Sequence, residues 1–366
     1  MKIAVFINTP AQVNFYKNII RILREHGHEV KVLARDYGET LAIIESIGND
    51  YHIYSKSPTS KFGKALLLPF EVKCACQILR KFKPEIITGF GIYDAFSSGI
   101  LGAKCIIFED SEPEYSNLPY ALPFRACLPF ADTIITPSSF RLDMGKKQIR
   151  VNSFKELAYL HPNYFNPDKG IRGLLGLDSG EEYALLRFNG FNAVHDFGIG
   201  GFSRTDKIRL VTELEKYARV FISSEAGVPN EIADRVLRVP KSRIHDVIYF
   251  SKLMIADTGT MVTEAACLGT PAIMLHPRVR QFGNFAELEK KYNSIFGFDQ
   301  ESILAFEKAI ELIRTPNLKE EWIMKRTKLL KDKIDLNAFM VWFIENYPDS
   351  FKIMSENPRY QDKFNG

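Results

Sequence analysis

The chain has 366 residues, too many for one ordinary core and enough for two domains of roughly 150–200 residues each. Its 46% hydrophobic and 25% charged residues fit an ordinary globular protein, and 48 basic against 44 acidic side chains, a net charge of +4, leave no footprint for a nucleic-acid partner. Five cysteines, Cys74, Cys76, Cys105, Cys127 and Cys267, are odd in number, lie in apolar stretches and lack Cys-x-x-Cys spacing, which reads as reduced core thiols and a cytoplasmic setting.

From the N-terminus, Met1-Lys2 runs directly into an apolar strand, Ile3–Ile7, without the apolar core of a signal peptide. A helix over about Val13–His26 follows, closed by Gly27, then a strand at Val30–Ala34 and a helix near Thr40–Ile47. Further strands read at Ile86–Gly89, Cys105–Phe108 and Thr133–Thr136, and this alternation predicts a parallel sheet with helices on both faces. His161–Pro167 carries two prolines and no helical period, so it reads as a linker. Beyond it the rhythm repeats, with strands at Tyr183–Phe188, Arg219–Ser223, Leu253–Ala256 and Ala272–Leu275. The expected domains are 1–165 and 166–335, with a helical tail, 336–366, packing back on the first. No apolar run reaches the ~18–20 residues that span a bilayer. Ala65–Leu79, flanked by Lys61, Lys64, Lys73, Arg80 and Lys81, and Phe339–Ile344 are candidates for peripheral contact with a membrane surface, with core or interdomain packing the expected role.

The most informative stretch is 257–276. A buried strand ends at Ala256, Thr258-Gly259-Thr260 makes a small-residue turn, and a short helix runs to Leu268 before Gly269 and Pro271 stop it. Small residues let a ligand approach the backbone, and the helix start favours an anion. Glu264 falls one turn beyond Thr260 on the same face, where its carboxylate can accept from a vicinal diol beside that phosphate. Phosphate beside a diol is a nucleotide. A second concentration of charge follows the strand Cys105–Phe108. There Glu109, Asp110, Glu112 and Glu114 crowd a strand's carboxyl end, where ligands bind in open α/β sheets. Like-charge repulsion is expected to raise one of them toward the range of a general base, with Asp110 and Glu112 the preferred pair.

The stretch 257–276 resembles the nucleotide-sugar loop in the C-terminal half of GT-B glycosyltransferases and of UDP-N-acetylglucosamine 2-epimerase, and Gly27-His28-Glu29-Val30 resembles the end of the first helix in GT-B enzymes. Over nearly the whole chain, Gly27–Gly38, Phe108–Ser111 with Glu112, Phe154–Pro162, Leu186–Phe188 and His195-Asp196 resemble an uncharacterised archaeal and bacterial family, domain of unknown function number three hundred and fifty-four. The resemblance implies an α/β, GT-B-like fold of two doubly wound Rossmann-type domains facing across a cleft. It also implies a glycosyltransferase that passes sugar from a nucleotide diphosphate sugar, a UDP-sugar first of all, to a glycan or lipid-linked acceptor. A nucleotide-sugar epimerase and a non-catalytic nucleotide-binding protein are the alternatives.

The implied roles follow position. Thr258, Gly259 and Thr260 hold the diphosphate and Glu264 the ribose, while Ile244 and His245 meet the base. Arg187, ending its strand opposite the diphosphate, offsets charge on the leaving group. His195-Asp196 and the Gly-rich run to Ser203 close over the phosphates, although the 2-epimerases carry His-Arg where this chain has His-Asp. Asp-x-Glu at 110–112 could ligate a divalent cation, but GT-B enzymes stabilise the leaving diphosphate with protein groups, so no metal is assigned. No cofactor is expected beyond the nucleotide-sugar substrate. Lys155 and Glu156 are read as an interdomain ion pair, and His26 and His28 as capping or surface residues.

Overall fold

A computed structural model describes residues 1–56, 61–112, 118–188, 202–224, 227–299 and 301–365. The chain divides into two units, Met1–Tyr159 with Lys333–Gly366, and Leu160–Asp332.

Unit 1 holds seven strands: β1 (Lys2–Ile7), β2 (Glu29–Asp36), β3 (His52–Lys56), β4 (Ile86–Gly89), β5 (Lys104–Phe108), β6 (Thr133–Pro137) and β7 (Gln148–Val151). They pair in the order β3-β2-β1-β4-β5-β6-β7, every pair parallel. The central strands are covered on both faces, which is why Ile3–Ile7 is one unbroken apolar run. The first helix is Pro10–Glu25, earlier than its apolar period suggested, because Pro10 at the first helical position supplies the required φ. It buries Val13, Tyr16, Ile20 and Leu23 along one face. Strands β3 and β7, which apolar runs did not reveal, are the edges of the sheet. In β7 the buried Ile149 and Val151 alternate with half-buried Gln148 and Arg150, and in β3 only Tyr54 and Ser55 are buried. The C-terminal segment adds the helices Leu336–Glu345 and Asp349–Glu356 to this unit.

Unit 2 holds β8 (Tyr183–Phe188), β9 (Arg219–Ser224), β10 (Leu253–Ala256), β11 (Ala272–Leu275) and β12 (Ile295–Phe298), paired in parallel as β12-β11-β10-β8-β9. One face of the sheet packs Leu186, Ile222, Ile255 and Ile273 against Leu210 and Val211 of the helix Arg204–Leu214 and Phe306 and Ala309 of Ser302–Arg314. In both sheets the chain order reverses once, between β1 and β4 and between β10 and β8. Such switch points open a crevice at the strands' carboxyl ends, the usual ligand position of a doubly wound fold. Among the described residues no helix is long and apolar enough to cross a membrane.

Candidate functional site

In unit 2 the switch point lies between Arg187, the penultimate residue of β8, and the turn that leaves β10. Arg187 stands in register with Ala256 of β10 and Ser223 of β9, and its backbone carbonyl accepts from the Asp257 amide at 3.3 Å. Its Nη1 donates to Ser223 Oγ at 2.8 Å, which lays the guanidinium along this edge. The helix that follows is Gly259–Leu268. Every residue from Met261 to Leu268 is buried, whereas Thr258, Gly259 and Thr260 are half-buried, so the helix is sunk in the core and only its start reaches the surface. Thr258 occupies the N-cap in extended conformation (φ −131°, ψ 150°), yet its side chain makes no capping hydrogen bond. The first backbone N–H groups of an α-helix have no intrahelical acceptor, and here they lie at the carboxyl end of β10, the strand next to that of Arg187. The other end of the helix is satisfied: Gly269 takes a left-handed conformation at φ +71°, and Arg326 Nε donates to the Cys267 carbonyl at 2.9 Å.

Gly259 has a second physical reason for being small, besides the one its turn suggests. A Cβ built on it would lie 2.5 Å from Phe285 Cζ, so the ring of Phe285, on the helix Gly283–Lys290, occupies that space. Glu264 and His245, assigned separately to ribose and base, are brought together. His245 Nε2 lies 3.1 Å from Glu264 Oε1, with both side chains less than a tenth exposed. His245 sits in the first turn of the helix Ile244–Phe250, and Phe165 meets its ring edge-on at 6.1 Å. That helix is anchored by Asp246, which accepts from the Asp168 amide at 2.9 Å and from Arg243 Nε at 2.7 Å. Ile244 is half-buried at the helix start. His195 and Gly198 to Gly201 lie outside the described residues.

In unit 1 the acidic run leaves β5, but it is not an open acidic loop. Glu109 and Glu112 are both 1% exposed, and each carboxylate accepts from a backbone N–H: Ser111 at 2.7 Å and Arg141 at 2.8 Å. Asp110 Oδ2 lies 2.5 Å from Lys155 Nζ, which is also 3.7 Å from Glu156. Both Asp110 and Glu156 lie in unit 1 with Lys155. The like-charge crowding expected of this run is offset by one lysine and two amides, a change no local spacing could reveal because Asp110 and Lys155 are 45 residues apart. Glu114 lies outside the described residues. His26 is the C-cap of the first helix, and His26 Nδ1 and His28 Nε2, at 2.7 and 2.9 Å, meet Glu345 of the C-terminal segment.

No family model matches the chain, and no curated protein matches it by sequence. Solved structures match it by fold. The UDP-GlcNAc 2-epimerase of Neisseria meningitidis bound to UDP-GlcNAc superposes with a TM-score of 0.67 at 12% identity, covering 94% of this chain and 100% of that one. The MnaA–UDP co-structure of S. aureus gives 0.68 at 11% identity over 95% and 97%. SsfS6, a glycosyltransferase of Streptomyces sp. SF2575, gives 0.59 at 13% identity over 94% and 100%. The fold is thus α/β and GT-B-like, with two doubly wound Rossmann-like domains, the class shared by GT-B glycosyltransferases and UDP-GlcNAc 2-epimerases.

Proposed function

We propose that the chain is a GT-B-type glycosyltransferase that binds a nucleotide diphosphate sugar through unit 2 and an acceptor through unit 1. The observation that carries this reading is the uncapped helix start at Thr258–Thr260, on the same sheet edge as Arg187 and one turn from Glu264. Diphosphate at the helix start, ribose hydroxyls at Glu264 and base near Ile244 and His245 fit that edge, and a uridine diphosphate donor is favoured by neighbours bound to UDP and UDP-GlcNAc. In the reaction a carboxylate takes the acceptor hydroxyl's proton, the oxygen bonds to the anomeric carbon, and the nucleotide diphosphate leaves with the electron pair of the broken bond. Arg187 and the helix start offset the charge that grows on the leaving group. Of the preferred pair, Glu112 is fixed by a backbone amide and Asp110 by Lys155, and the proton that the carboxylate takes passes on to solvent. The uncharacterised family resembled by Phe154–Pro162 and its companion segments, a cytoplasmic setting and the absence of any cofactor belong to the same reading.

An epimerase is the second reading, favoured by the superposition with the Neisseria meningitidis 2-epimerase at 0.67 against 0.59 for SsfS6. Two measurements decide. UDP at ~100 times its Kd should stabilise the protein by about 2.7 kcal/mol in thermal unfolding, and no stabilisation by any nucleoside diphosphate rejects both enzymatic readings. Incubation with UDP-GlcNAc and no acceptor should leave a transferase's substrate unchanged, whereas accumulation of the C2 epimer assigns the chain to the epimerases.

A further inference from the structure

The two stretches with a possible membrane role part company on folding. Phe339–Ile344 is core, with Phe339, Met340, Phe343 and Ile344 fully buried. The other belongs to the helix Lys61–Arg80, which leads from β3 to β4, and it divides by face. Val72, Ala75 and Leu79 are buried, the last two in one cluster with Phe6 and Ile87 of the sheet. Leu67 and Phe70 are 38% and 62% exposed, and Lys73, Gln77 and Arg80 continue their exposed stripe at helical spacing. The helices Tyr93–Leu101 and Leu118–Cys127 make the next two crossovers, β4 to β5 and β5 to β6. Right-handed crossovers that step the same way across a sheet put their helices on one face. Core packing agrees, since Ala95 of the second helix shares a cluster with Phe124 and Cys127 of the third. Ile100 on the second helix is 65% exposed and Leu122 on the third 60%, with exposed Arg125 one turn beyond Leu122. The first and third helices thus repeat one arrangement, a large apolar side chain in water and a cation about 4.5 Å further along the axis.

Among the described residues of these three helices no carboxylate is exposed. Glu71, the one acid of the first, has 5% of its side chain exposed, Asp94 of the second is fully buried, and the third has no acid. A single exposed apolar side chain needs no explanation, but a layer that pairs several with cations and withholds every acid describes a partner. A nucleic acid would answer the cations and leave Phe70 and Leu122 in water. A second copy seated face to face would cover the apolar side chains but set Lys73 and Arg125 against the same cations, with no carboxylate on the layer to pair them. A bilayer with anionic headgroups answers both, because apolar side chains enter the acyl boundary while the cations beside them meet phosphates. We infer that this helical face of unit 1 docks peripherally on an anionic phospholipid bilayer, with Leu67, Phe70 and Leu122 entering it and Lys73 and Arg125 held at its headgroups. The inference gives the chain a location and does not depend on the donor or the reaction proposed above.

The test mixes the full chain with vesicles of phosphatidylcholine alone and of phosphatidylcholine with phosphatidylglycerol, and measures bound protein by flotation. Binding is expected on the mixed vesicles, roughly tenfold or more weaker on phosphatidylcholine alone, and falling as salt is raised. Phe70→Ser combined with Leu122→Ser should weaken it roughly tenfold or more, and Lys73→Gln combined with Arg125→Gln should do the same and flatten the salt dependence. All four side chains are exposed, so thermal unfolding of both double variants should match the unsubstituted protein. Ile303→Ser, at a 64% exposed position of unit 2, should leave binding within about twofold. No binding to the mixed vesicles, equal binding to both compositions, or binding indifferent to the Phe70 and Leu122 changes overturns the inference. So does a dimer in sedimentation that those two changes dissolve, which would make the face a contact between copies. UDP affinity, read by calorimetry on the same samples, is a separate measurement: its absence would overturn the donor reading and leave vesicle binding standing.

Discussion

Glu264 and Gly259 show how closely single side chains are specified at the unit 2 edge. The carboxylate of Glu264 is buried against His245, and a buried charge-assisted hydrogen bond to a ribose is worth roughly 1.5–3 kcal/mol. Glu264→Ala should therefore lower UDP affinity roughly ten- to a hundredfold by calorimetry, with 2′-deoxy-UDP affected less; equal affinity before and after would remove the ribose role. Arg187→Met should lower kcat by ~10²-fold or more with a smaller change in donor KM, because leaving-group charge is greatest in the transition state. A rise in KM alone would make it a ground-state binding residue. At Gly259 the constraint is space rather than backbone conformation, since an added Cβ meets Phe285 at 2.5 Å. Gly259→Ala should cost about 1–3 kcal/mol in denaturant unfolding, and a second change, Phe285→Leu, should recover part of it. If the double variant is no more stable than the single one, the ring is not the cause.

At the scale of elements, the helix start after β4 combines strain with a buried charge. Gly91 and Ile92 both have positive φ, +93° and +64°, and the bond from the Gly91 amide to Asp94 ties the turn to the first helical residues. A β-branched residue at positive φ is costly and persists only where neighbours impose it. Burial raises the Asp94 carboxyl from 3.8 to about 6. The folded state then holds a proton that the unfolded chain has lost between about pH 4 and pH 6, so this group's stabilisation is complete below that window and falls as pH rises through it. Relative to Asp94→Asn, the protein should lose on the order of 3 kcal/mol between pH 4 and pH 7 in denaturant titrations. A pH-independent difference between the two proteins would show that the carboxyl is solvated when ionised.

Across the whole molecule, unit 1 is assembled from both ends of the chain. Ile334 donates from its amide to the Asn152 carbonyl at 3.0 Å, and Asn337 Nδ2 to the Ala158 carbonyl at 2.7 Å. Phe339, Met340, Phe343 and Ile344 are fully buried, and Glu345 is held by His26 and His28. Four such side chains contribute roughly 6–12 kcal/mol of burial, comparable with the entire stability of an ordinary domain. Ending the chain after Asp332 should therefore unfold unit 1, while unit 2, Leu160–Asp332, keeps its nucleotide edge. Limited proteolysis should degrade residues 1–159 and leave a UDP-protected fragment; protection of residues 1–159 would show that the C-terminal segment is dispensable to that core.

The strands at the centre of each sheet and the strand–turn–helix–strand unit at 253–275 are legible because both are local. A parallel strand covered on two faces is an unbroken apolar run, and a glycine closes a helix wherever the chain must turn left-handed. The edges β3, β7 and β12 are less legible, since one-sided cover lets polar residues or Gly297 interrupt the run. Side-chain partnerships are settled by tertiary structure alone. Lys155 against Asp110, His245 against Glu264 and Arg35 against Glu71 all join separate elements, and they decide which carboxylates are compensated. Spacing along the chain determines which residues share a face, whereas the charge and solvent around a group depend on what folding brings beside it from elsewhere.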